Sequence, residues 1–141
     1  DQRYVLMAPD ADASSPLVIG VLSDVQEAVG EVQDIFMRMN EDDLRFVVST
    51  GDLTANGERE ELERFQTELE MLDVPFYSTV GNHEVPGPAH WHELFGPFSV
   101  FFRFHQVAFS LVDSSLATID PLARARLDAV VLANRGAPHL F

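Results

Sequence analysis

The sequence predicts an α/β fold built on a parallel βαβαβ unit, and three observations carry the prediction. Apolar runs of strand length at residues 17–23, 45–50 and 76–80 alternate with two stretches whose apolar residues recur at helical spacing. Each helical stretch is long enough to carry the chain back, which implies parallel strands joined by right-handed crossovers. Each run also ends in polar residues, namely Asp24-Val25-Gln26, Gly51-Asp52 and Gly81-Asn82-His83-Glu84.

At 141 residues the chain has the size of one domain, and a compact fold would bury about two thirds of the unfolded surface. An apolar content of 46%, with eleven Phe, excludes disorder as a description of the whole. The net charge of −14 repels phosphate backbones and anionic membrane faces unless a cation intervenes, which excludes duplex nucleic acid as a bare electrostatic partner. There is no cysteine, hence no disulfide framework, thiolate metal site or thiol nucleophile. No stretch of eighteen apolar residues is present, so no membrane span is expected. All nine basic residues are arginine, a compositional bias that carries no mechanism. The chain opens at Asp1 without a methionine or a signal-like apolar core, so a segment removed upstream is expected, and export is compatible with that.

Residues 1–16 hold a short apolar run at 4–7, then Pro9, an Asp-rich patch and Pro16, and read as a leader and loop ahead of a domain at 17–141. The run at 17–22 is continuous and apolar, as for a strand covered on both faces. From Val25 the period changes: Val25, Val29, Val32, Phe36 and Met39 fall on one helical face until the patch at 40–43. The second strand leads into a turn-rich connection at 51–57. In the second helix Leu62, Phe65, Leu69 and Leu72 form the apolar stripe, ended by Asp73 and Pro75, before the third strand. After Pro86-Gly87-Pro88 a short helical turn is expected at 89–95. The aromatic and β-branched runs at 98–104 and 107–112, separated by His105-Gln106, predict an antiparallel hairpin on the sheet edge. Asp120-Pro121 marks a last helix, an N-cap followed by proline at the first position, with Leu122, Leu127, Val130 and Val131 on its buried side. Gly136 and Pro138 end it, and residues 139–141 look like the entrance to another strand.

In open α/β sheets ligands bind beyond the carboxyl ends of the strands, so Asp24, Asp52 and Asn82 are expected to converge there. Oxygens from two Asp and one Asn suit a hard or borderline divalent cation. Two such ions would clamp a phosphoryl group and activate a water, with Asp52 as the bridge, Asp24 on the first ion and Asn82 on the second. Gly51 allows close backbone approach beside Asp52. Any one of these residues is as readily turn chemistry or a helix cap, but three such endings together favour the ion. His83 suits protonation of a leaving oxygen, although alone it would be an ordinary loop histidine. Glu84 is expected to orient a neighbour or cap the next turn. His90, Trp91 and His92 point in different directions and cannot all face one ion, so Trp91 is expected to pack inward. His105 and His139 are expected to face solvent, and Phe98, Phe101, Phe102, Phe104 and Phe109 to be core.

These residues resemble the calcineurin-like metallophosphoesterase superfamily, which includes the purple acid phosphatases. Its pattern of Asp-x-His, Gly-Asp and Gly-Asn-His-Glu is matched in order by Asp24, Gly51-Asp52 and residues 81–84, and the likeness runs over 17–138. The resemblance implies an αββα sandwich, of which this chain supplies about one half, a βαβαβ unit with a hairpin and a helix. It implies two divalent or trivalent ions (Mn, Fe or Zn) and hydrolysis of a phosphate mono- or diester by a metal-bound hydroxide. Asp24 and Asp52 would be metal ligands, Asn82 a ligand of the second ion and His83 the general acid. Gln26 stands where the family has histidine, and its amide oxygen could still ligate. The family's later His and Gly-His-x-His do not occur before Phe141. An amino-terminal half would leave one face of the first sheet bare, so self-association or a missing carboxyl-terminal half is expected. The alternative from a different class is a non-catalytic binding module on the same fold. A response-regulator-like domain is disfavoured, since there is no lysine and residues 81–84 have no role in it.

Overall fold

The computed structural model describes residues 16–141, so the apolar run expected at 4–7 lies outside the described residues. Two three-stranded sheets form the middle of the molecule. The first is parallel, in the order β1 (Gly20–Leu22), β2 (Val47–Ser49), β3 (Phe76–Ser78), with Gly20 opposite Val47 and Val47 opposite Phe76. The second pairs β4 (Val100–Phe104) antiparallel with β5 (Val107–Leu111), and β5 parallel with β6 (His139–Leu140).

Alternation along β2 explains why the sheets stack. Val47 points to one face and joins Val32, Phe36, Leu62, Phe65 and Trp91, which belong to α1 (Val32–Asn40), α2 (Arg59–Leu69) and α3 (Pro88–Leu94). Phe46 and Val48 point to the other face and meet Phe109, with Phe102, Phe104 and Tyr77 packed around them. The Phe46 ring touches those of Tyr77, Phe102, Phe104 and Phe109 edge-on at centroid distances of 5.2–5.7 Å. On the outer face of the second sheet, α4 (Pro121–Ala133) lays the Arg126 guanidinium over the Phe101 ring at 5.4 Å. The layers are therefore helix, sheet, sheet, helix.

Local signals act as expected at several points. A 3₁₀ segment at Gln26–Glu31 precedes α1, and Val25, Val29, Val32 and Phe36 are all buried. Glu61 accepts from the Glu58 amide at 3.1 Å and closes the start of α2. Asp120 accepts from the amides of Leu122 and Ala123 at 2.8 and 3.2 Å, with Pro121 at the first position of α4.

Three expectations are corrected. The hairpin does not extend the first sheet at its edge. It opens the second sheet, because Phe102, Phe104 and Phe109 share a face that buries against Phe46 and Val48, and it thereby covers the face expected to stand bare. β1 is not covered on both sides: Leu17 and Ile19 pack against the second sheet, but Val21 is 64% exposed. The supposed buried side of α4 is also open, with Leu122 at 81% and Val131 at 45% exposure and no residue of the helix buried. That helix meets its sheet through Arg126 and Phe101 rather than through an aliphatic stripe.

Phe46→Ala is expected to cost about 3–5 kcal/mol, the range for emptying a packed aromatic position, whereas Leu132→Ser on the open side of α4 is expected to stay within about 0.5 kcal/mol. Urea unfolding monitored by circular dichroism measures both. Similar values for the two would refute the view that ring packing between the sheets holds them together.

Candidate active site

The three parallel strands end side by side, and their loops are bonded to one another. The Asp24 amide donates to the Gly51 carbonyl at 3.4 Å, the Gln26 amide to the Asp52 carbonyl at 3.2 Å, and the His83 amide to Asp52 Oδ1 at 3.1 Å. Asp52, in the loop after the central strand, is thus held from the loops on either side. Asp24, Gln26 and Asp52 adopt left-handed backbone with φ of 56°, 46° and 55°, a conformation that costs on the order of 1 kcal/mol or more per residue. Two glycines let the loops come this close. A Cβ at Gly51 would lie 2.3 Å from the Gly81 nitrogen, and one at Gly81 would lie 2.1 Å from Asp52 Oδ1.

Glu84 holds this arrangement in place. Its carboxylate is fully buried and accepts from the amides of Asp52 at 3.0 Å, Gly81 at 2.9 Å and Thr54 at 2.9 Å, and from the Thr54 hydroxyl at 3.0 Å. The expectation that Glu84 orients its neighbours describes this geometry, although its depth was not foreseen.

Asp52 and Asn82 line one hollow, together with Thr50, Thr79 and the turn after β5 at Ser114 and Ser115. Asp24 lies outside that lining and is exposed, and its carboxylate accepts from the Ser23 hydroxyl. Its field nonetheless reaches His83. Gln26 is half-buried at the start of the 3₁₀ segment. The His83 Nδ1 lies 2.7 Å from the Ala55 carbonyl. A carbonyl only accepts, so Nδ1 carries the proton and Nε2 is the nitrogen left to exchange one. That bond raises the His83 pKa, opposed by burial and assisted by the charges of Asp52, Glu84 and Asp24.

The other histidines divide. Trp91 packs fully buried, as expected. Two are corrected: His105 stacks on Phe104 at 4.9 Å with its Nε2 buried, and His139 is held to the Ser110 hydroxyl at 2.9 Å through Nε2. Both are drawn in by neighbours on the second sheet, which a loop position in the sequence does not reveal. The lining residues that the sequence does not single out are Thr50, Thr79, Ser114 and Ser115, whose types are too common at strand ends to signal a site.

Among the described residues no three His, Asp or Glu side chains gather into an ion-binding cluster. The donors near these strand ends are two carboxylates, from Asp24 and Asp52, and two amides, from Gln26 and Asn82. In kind they fit a hard or borderline divalent cation, but such ions take about 6 oxygens each, so this set fills part of one shell.

Glu84→Gln is expected to destabilise the protein by about 2–4 kcal/mol, because the amide nitrogen would face donors and leave them unpaired. Chemical denaturation measures it, and a cost below about 1 kcal/mol would show that the loops hold without the carboxylate. For His83 the folded pKa lies above the ordinary value of 6.5, so the protonated imidazole stabilises the fold. That contribution is complete below the unfolded value and is lost as pH rises through the folded one. An NMR titration of the metal-free protein should give His83 a midpoint above 6.5; a midpoint at or below it would contradict the Ala55 contact.

The chain is 50% identical over 38 residues to a probable glycerophosphodiester phosphodiesterase of Arcobacter nitrofigilis, a match covering 27% of this chain and 14% of that protein. Its fold is similar to the crystal structure of a dimetal phosphatase from Danio rerio, with a TM-score of 0.56 at 16% identity, covering 65% of this chain and 42% of the other. The chain therefore spans well under half the length of either. The family model of the calcineurin-like phosphoesterases matches residues 17–132, and the chain belongs to that family.

Proposed function

We propose that this chain carries the amino-terminal portion of a metal-dependent phosphoesterase site, with Asp24, Gln26, Asp52 and Asn82 as metal ligands and His83 as the catalytic acid. The observation that carries the reading is the bonding of three strand-end loops around Asp52, loops that bear two carboxylates, two amides and an imidazole. Family membership and the similarity to a phosphodiesterase and a dimetal phosphatase support it.

The substrate class is a phosphate mono- or diester. Two divalent or trivalent ions, Mn, Fe or Zn, would supply Lewis-acid polarisation of the phosphoryl oxygens and a nucleophilic water at neutral pH. The residues do the rest. Asp24 and Asp52 contribute anionic oxygens, and Asp52 is fixed in place by the His83 and Glu84 contacts. Asn82 and Gln26 contribute neutral ones. His83, protonated on Nδ1 by the Ala55 contact, gives up the Nε2 proton of its cationic form to the departing oxygen. The negative surface makes a cation a precondition for holding a phosphate.

A second reading, a non-catalytic binding module on the same fold, is favoured by Gln26 in place of an imidazole and by the lack of a clustered acid–histidine set among the described residues. Titration calorimetry with Mn²⁺, Zn²⁺ and Fe²⁺, paired with hydrolysis of p-nitrophenyl phosphate and its bis ester, separates the two. Metal uptake with turnover, reduced at least about a hundredfold by Asp52→Asn, is expected from the proposal. No uptake of any of the ions would favour the binding module.

A further inference from the structure

We infer that the hollow beside Asp52 and Asn82 selects a phosphate ester whose leaving group carries hydrogen-bond donors, hydroxyl or ammonium, and rejects one that is anionic. The inference rests on the phosphoesterase reading and names the substrate class for the same site.

It follows from where the hydroxyl protons go. Thr79 Oγ1 donates to the Phe98 carbonyl at 2.7 Å, and a carbonyl can only accept, so that hydroxyl has no proton left for a ligand. Ser115 Oγ donates to the Asp113 carboxylate at 2.6 Å, with the same result. Ser23 gives its one proton to the Asp24 carboxylate, so in its 2.8 Å contact with Thr50 it must be the acceptor, and the Thr50 proton is committed too. Thr50, Thr79 and Ser115 all line the hollow, and each retains acceptor lone pairs alone.

Donors are scarce on this wall. The Ser114 hydroxyl and the Asn82 amide are available, but among the described residues no arginine or histidine lines the hollow, and the chain has no lysine at all. A second phosphate or a carboxylate beside these hydroxyls would face their lone pairs. A hydroxyl or ammonium would find acceptors already oriented by their own hydrogen bonds. Val80 and Val112 offer apolar contact to the short carbon chain between that donor and the phosphate.

Three ligands that share a two-carbon chain test this: ethyl phosphate, 2-hydroxyethyl phosphate and 2-aminoethyl phosphate, titrated calorimetrically into the protein in saturating Mn²⁺. The two donor-bearing ligands are expected to bind about three- to tenfold more tightly than ethyl phosphate, the equivalent of one added hydrogen bond, and the larger gain tells hydroxyl from ammonium. Thr79→Val and Ser115→Ala should each shrink that ratio. The ratio is the readout because general damage to the fold weakens all three ligands together. Equal affinities in the unaltered protein would overturn the inference and leave the phosphoesterase reading standing. No manganese-dependent binding of ethyl phosphate would overturn that reading and the inference with it.

Discussion

The Glu84 carboxylate, withdrawn from solvent and ringed by the amides of Asp52, Gly81 and Thr54, is the interaction on which the geometry of the site depends. Burying a charge costs several kcal/mol, and it persists because four donors converge on its two oxygens. Three of those donors are backbone amides from the loops after β2 and β3. The bond set therefore fixes main chain, and through it the positions of Asp52 and Asn82, whatever their side chains do. It also counterbalances the left-handed backbone of Asp52, which an unsupported loop would relax.

The sequence made part of this legible. Helical stripes such as Val25, Val29, Val32 and Phe36 are read from periodicity because one-sided burial leaves a regular trace. Gly51 was visible as a position of close approach because no other residue type permits it, whereas the same role of Gly81 shows only once the Asp52 side chain is seen against it. The Asp120 cap was visible because its signal is local. What stayed hidden depends on partners distant in sequence. An aromatic hairpin extends a sheet or begins another according to what its face meets, and only the Phe46 cluster decides that. The same holds for His139, whose partner Ser110 lies 29 residues away, and for hydroxyl groups whose donors and acceptors are set by three-dimensional neighbours.

Charge explains why this edge of the sheet is built with oxygen donors and so few cations. With a net charge of −14 and no lysine, the chain has little with which to neutralise a phosphate, and among the described residues no arginine lines the hollow. Backbone amides, which could otherwise form an anion-binding nest, are spent on Glu84 and Asp52. Attraction for an anion must therefore come from bound cations, and the acidic strand ends are the place that would hold them.

The two carboxylates at those strand ends are not equivalent, and the difference bears on how such a site would load. Asp52 is half-buried and fixed through its amide, its carbonyl and Oδ1, so its position is set before any ion arrives. Asp24 is exposed and steadied by a hydroxyl relay from Thr50 through Ser23, groups that are themselves open to water. A rigid ligand defines where an ion sits, and a mobile one closes on it afterwards at the expense of rotamer entropy. Under the proposed assignment the Asp52 carboxylate is preorganised, while that of the exposed Asp24 closes on the ion. The neutral amide of Gln26 adds little attraction there, which places the weaker hold beside the carboxylate that is also open to water.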